Sequence, residues 1–110
     1  MRNALVIGVD NSLEVIDLDA PEGSLKVLQG AVGGWIEAVD ISETLTLWCN
    51  EEGKLLGMPA NPFATKLSAE AIQTSDWIAG NAVLTGGADE EGDTLGLTEE
   101  QLATFKFIFS

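Results

Sequence analysis

Two short apolar runs open the chain, ALVIGV (4–9) and LEVIDL (13–18), and only Asp10-Asn11-Ser12 separates them. Runs this short and this rich in β-branched residues read as strands, and the three residues between them supply turn chemistry. A β-hairpin at the outset biases the sheet toward antiparallel pairing. Two further runs, WIEAVDI (35–41) and LTLWC (45–49), read as strands in the same way. In the second, Leu45, Leu47 and Cys49 share one face while Thr46 and Trp48 share the other.

Helical signals are fewer. Between the first and third strands, Leu25, Leu28 and Val32 recur at helical spacing, which predicts a helix closed by Gly33-Gly34 and capped by Asp19 or Ser24. After LTLWC, the polar loop Asn50–Lys54 leads to a predicted strand, LLGM (55–58), so the region reads as a second hairpin. SAEAIQTSD (68–76) is expected to form a short helix capped by Ser68. DWIAGNAVLTG (76–86) regains strand character, broken at Gly80-Asn81 by a bulge or bend. Thr98-Glu99-Glu100-Gln101 fits a capping box, with Leu97 and Leu102 placed for the flanking hydrophobic staple. The helix it starts is expected to bury Leu102, Phe105 and Phe109, although FKFIF alternates like a strand and can end the helix early. Together these elements predict a small single α+β domain with a largely antiparallel sheet, one helix in the N-terminal half and one at the C-terminus.

Composition then limits function. At 110 residues the chain suffices for one modest core. Its apolar runs are too short to span a bilayer, and its first residues lack the pattern of a secretory signal, which points to the cytoplasm. Eighteen acidic residues against five basic ones give a net charge of -13. Such a surface repels nucleic acid and anionic lipid and favours partners with basic surfaces, so neither direct nucleic-acid binding nor membrane binding is expected. With no His and no Tyr, the commonest general base is absent, and so is His-activated nucleophilic catalysis. Cys49, on a core-facing strand position, reads as a small hydrophobe; one Cys without His cannot furnish a structural zinc site. No catalytic residue, metal site or cofactor is expected.

Three constellations merit weighing. Asp10 follows a first strand, as in some metal-holding folds, but it reads more simply as a hairpin turn residue. Asp89, Glu91, Asp93 and Glu100 hold positions 1, 3, 5 and 12 of a calcium loop, yet Thr94 stands where the sharp turn needs Gly. The plain reading of Asp89, Glu90, Glu91, Asp93, Glu99 and Glu100 is an exposed acidic face, available to a basic protein. Lys54 and Lys66 bracket a stretch containing Asn50, Asn61 and Thr65; if these converge with Asn81, they form a polar pocket for a nucleotide-like signal molecule. The phenylalanines near the C-terminus would allow a homodimer.

The segments AVGGWIEAV, CNEEGKLLGMPAN, DWIAGNAVLTG and GLTEEQL resemble, in order and spacing, the domain-of-unknown-function 3846 family, over Leu25 to Leu102. The resemblance implies a small protein of phage, actinobacterial or mobile-element origin and brings no established activity. Members often carry basic residues just after the second asparagine; this chain has Pro62-Phe63 there, which weakens a basic ligand clamp. The expected function is therefore a non-enzymatic accessory protein occupying a host protein in the host cytoplasm, with the small-ligand sponge as the alternative.

Overall fold

The computed structural model describes residues 2–109. The elements run β1 (Asn3–Ile7), β2 (Leu13–Asp17), α1 (Ser24–Val32), β3 (Ile36–Ser42), β4 (Leu45–Asn50), α2 (Pro62–Ile72), β5 (Ala82–Gly86) and α3 (Glu99–Ile108). All neighbouring strands are antiparallel, in the order β2-β1-β5-β4-β3, so the fold is α+β. The opening hairpin is present, with Ile7 opposite Leu13. Asp10 is its turn residue: the carboxylate accepts the Ser12 N–H at 3.0 Å, and the Ser12 bonds hold its pKa below the usual carboxylate value.

The sheet is buried on both faces, by different helices. Alternation along each strand sends Leu5, Ile7, Leu47, Cys49 and Leu84 toward α2 and α3. It sends Ala4, Val83 and, partly, Trp48 toward α1, where Leu28 and Val32 meet them. The last strand to form in sequence, β5, is inserted at the centre and is buried along its whole length.

Several sequence expectations need correction. Residues 55–58 form no strand: after β4 the chain makes consecutive turns over 51–57, and β4 pairs with β3 and β5 instead. Leu55 and Leu56 have the apolar character of strand residues, yet they are 85% and 61% exposed. The helix expected near 68–76 starts earlier, at Pro62, and Ser68 is a buried mid-helix residue rather than its cap. Its N-cap is Asn61, whose side chain accepts the Ala64 N–H at 3.1 Å, followed by Pro at the first helical position, where its missing N–H costs nothing.

Neither Asp19 nor Ser24 caps α1; Gly23 occupies that position without a side-chain cap. Its C-terminus closes as expected, on Gly33 in the left-handed conformation at φ 80°. Leu28 and Val32 are buried, but Leu25 is exposed. The break before β5 falls at Gly80, with φ 81°.

At the C-terminus the capping box forms as expected. Thr98 Oγ1 accepts the Gln101 N–H at 3.0 Å, and Gln101 Oε1 accepts the Thr98 N–H at 2.9 Å. Glu99 and Glu100 occupy the first turn, where the helix dipole favours negative charge. The helix does not end early; it continues through the alternating FKFIF segment to Ile108. Phe105 and Phe109 are buried, Leu102 is partly buried, and Phe107 is exposed. Phe109 stacks on Phe63 with centroids 4.9 Å apart, which ties α3 to the start of α2. Such a pair contributes about 1 kcal/mol beyond its burial.

Candidate binding surface

Carboxylates dominate the charged part of the surface. Every acidic residue except Asp17 is exposed. Of the five cations, Arg2 is bound to Asp19 at 2.6 Å and Lys54 to Asp76. Arg2 also donates to the Thr94 carbonyl at 2.7 Å, so it fastens the acidic loop to the start of β1. That loop organises itself around Asp89, whose carboxylate accepts the N–H groups of Glu91 at 2.8 Å and Asp93 at 3.0 Å. Asp89, Glu90, Glu91 and Asp93 are exposed there, and Glu99 and Glu100 follow on α3, also exposed. Among the described residues no group of three or more acidic, Cys or His side chains is placed to hold a metal ion.

The polar residues expected to form a pocket have mostly structural roles. Asn61 is fully buried; its amide donates to the carbonyls of Ile7 at 2.8 Å and Gly80 at 3.0 Å. Asn50 is buried too, donating to the Val32 carbonyl at 3.2 Å and accepting the Glu52 N–H at 2.8 Å. Thr65 Oγ1 accepts the Ile78 N–H at 2.9 Å. Asn81 is exposed and accepts the Val9 N–H at 3.2 Å. Lys66 is exposed on α2. Asn50 and Lys54 do line one cleft together, but Asn61, Thr65 and Lys66 do not line it, and Asn81 lies at clefts on the α1 side.

That cleft, of about 390 Å³, lies between β3, the turns after β4, the C-terminal end of α2 and the segment leading to Ala79. Val39, Cys49 and Ile78 give it an apolar part, while Glu37, Glu51 and Asp76 give it negative charge. Its one cation, Lys54, is bound to Asp76 and sits 4.9 Å from the Trp77 ring centroid. Lys54 in turn holds the Asp76 carboxyl below its usual pKa, with help from the Trp77 N–H. Gly53 brings the turn against Ala79: a Cβ there would meet the Ala79 carbonyl oxygen at 2.9 Å.

Cys49 is 5% exposed, as the strand alternation predicts, with its thiol 3.8 Å from the Glu37 carbonyl oxygen. Burial, and then the Glu37 charge, push its pKa up to about 11. Such a thiol is a poor nucleophile at neutral pH.

The cleft residues Glu37, Val39, Ile72, Asp76 and Trp77 were not singled out by sequence reasoning. The alternation of WIEAVDI places Glu37 and Val39 on one face of a strand. Nothing in the sequence shows that the strand lies at an edge, or that residues 76–77 return to it.

The sequence model of a protein family described as a domain of unknown function (DUF3846) matches residues 1–110, the whole chain. No curated protein and no solved structure matches the chain.

Proposed function

The chain belongs to the family described as a domain of unknown function (DUF3846), and from its surface we propose that it is a non-enzymatic accessory protein that binds and occupies a basic protein of its host cell. One observation carries the reading: nearly all of the carboxylates face solvent, while two of the five cations are already engaged with acids of the same chain. A field of one sign speeds encounter with a surface of the opposite sign and discourages other partners. The raised pKa of Cys49 and the absence of His and Tyr support a role without covalent or His-based chemistry.

The cleft favours this reading over capture of a nucleotide-like signal. A phosphate entering it would meet Glu37, Glu51 and Asp76, and Lys54 is already paired. The polar groups of Asn50, Asn61 and Thr65 are engaged with backbone.

Affinity capture from host lysate tests the proposal at roughly 0.05 M and 0.5 M salt. The expected result is a basic protein retained at low salt, released at high salt, and held more weakly when Asp89, Glu90, Glu91 and Asp93 are neutralised together. Failure to retain any protein at low salt overturns the reading. A thermal shift with a nucleotide would instead favour the sponge, since ligand at a hundred times Kd stabilises by about 2.7 kcal/mol.

A further inference from the structure

The strand β3 lies at one edge of the sheet and, among the described residues, is paired through β4 alone. The Glu51 N–H donates to the Trp35 carbonyl at 2.9 Å, which sets the alternation of this antiparallel pair. Trp35, Glu37 and Val39 therefore direct their backbone groups inward to β4. Ile36, Ala38 and Asp40 direct theirs outward, where no other strand among the described residues meets them. An open edge of this kind can take another extended chain.

The two faces beside this edge share a character. On the α2 side lies the cleft with Glu37, Val39, Ile72 and Trp77; on the other, a groove of about 400 Å³ includes Asp40 and Glu43. No Lys or Arg occurs on β3, and the only cation in either cavity lining, Lys54, is paired with Asp76. The opposite edge, β2, is shorter, and the cleft beside it contains Lys26. Charge also selects the occupant. A second copy pairing edge to edge would set one acidic edge, with Glu37 and Asp40 and no Lys or Arg, beside another in a dimer of two chains at -13 each, whereas a basic segment would neutralise those carboxylates.

Building on the acidic-surface reading above, we infer that the edge of β3 is the docking site, and that its occupant is an extended Lys- or Arg-rich segment of the partner. Added as a sixth strand, the segment places alternate side chains on the two faces. Those on the α2 side enter the cleft, where an apolar residue meets Val39 and Ile72 and a basic one meets Glu37. Those on the other side are basic and face Asp40 and Glu43. Main-chain hydrogen bonds to Ile36, Ala38 and Asp40 fix the register.

A short labelled peptide of alternating Lys and Val, compared with its N-methylated counterpart of equal charge, provides the test by fluorescence anisotropy at low salt. The expected result is binding at least about tenfold tighter for the parent peptide, with slower amide hydrogen exchange at Ile36, Ala38 and Asp40 in the complex. Ala38→Pro, which removes an outward N–H that the fold does not use, should abolish the preference. Equal affinity for both peptides, or protection confined to β2, overturns the edge assignment while leaving a salt-released acidic surface intact. Binding of neither peptide overturns it as well, and the acidic-surface reading then rests on the lysate capture alone.

Discussion

Asn61 provides the sharpest separation between a structural and a ligand-binding role. Its side chain makes three bonds in a fully buried position: it accepts from Ala64 at 3.1 Å and donates to Ile7 at 2.8 Å and Gly80 at 3.0 Å. Those partners belong to the start of α2, the end of β1 and the bend before β5, so one amide joins three segments distant in sequence. In Asn61→Ala the loss of the cap costs about 1 kcal/mol. The two donated bonds to the Ile7 and Gly80 carbonyls contribute about 1 kcal/mol each. The sum is about 3 kcal/mol, a large share of the roughly 5–15 kcal/mol that holds a domain together. For a chain of this length it corresponds to a fall in Tm of about 12 °C.

Asn61→Asp sharpens the test because it keeps the cap acceptor and removes only the donor. Its carboxylate would face the Ile7 and Gly80 carbonyl oxygens without solvent, so ionisation is disfavoured and the folded-state pKa is raised. For a carboxyl raised in this way, the folded state binds more protons than the unfolded state, and stability falls as pH rises. Asn61→Asp is therefore expected to be less stable than Asn61→Ala at pH 7 and to recover on acidification, because the protonated form donates to one carbonyl. Urea unfolding followed by tryptophan fluorescence, at unchanged m-value, measures both variants. An Asn61→Ala cost below about 1 kcal/mol, or an Asp variant at least as stable as the Ala variant at pH 7, refutes the reasoning.

Three other outcomes follow from local geometry. Thr98→Ala breaks the capping box of α3 and should lower stability by about 1 kcal/mol in the same urea assay. With its pKa near 11 rather than 9.0, the folded Cys49 thiol should alkylate about a hundredfold more slowly at pH 8 than in urea, as followed by mass spectrometry. Asp76 is held below 3.8 chiefly by Lys54, so the contact stabilises the fold above that value and is lost as pH falls through the lower, folded value. Lys54→Met should move the Asp76 titration, read by NMR, upward toward 3.8.

What the sequence disclosed follows the range of the interactions. The β1–β2 hairpin and the α3 capping box depend on residues within a few positions of one another, and both were legible. The start of α2 carried an equally local signal, Asn61-Pro62. It was obscured because Ser68 also resembles a cap and because the buried residues of α2, Ala64 and Ser68, are small. Leu55 and Leu56 misled in the opposite sense, since an exposed apolar pair has the composition of a strand without the burial of one. The central place of β5 depends on pairing with both β1 and β4, which local pattern does not encode. Among the candidate ligand residues, polarity alone points to the amides and the hydroxyl. Asn50, Asn61 and Thr65 instead satisfy backbone groups where the chain changes direction.

The open β3 edge is likewise settled late in the sequence rather than at the first hairpin. When β3 and β4 pair, either flank of that hairpin is available for extension. Insertion of β5 beside β4 removes one flank, since Leu47 pairs with Leu84 and Trp48 with Val83. The β3 flank remains open, and only after residues 72–77 return beside it do Ile72, Asp76 and Trp77 complete the cleft. The open edge and the acidic cleft are thus products of one topology. Opening the turn at Gly53 tests that link: a side chain there meets the Ala79 carbonyl oxygen at 2.9 Å. Gly53→Val should push the turn away from Ala79 and change the cleft while leaving the β3–β4 pairing in place. The parent Lys-Val peptide should then bind more weakly but retain its advantage over the N-methylated form, because the outward backbone groups of Ile36, Ala38 and Asp40 are untouched. Loss of that advantage together with the affinity would mean that the cleft, rather than the strand edge, sets the register.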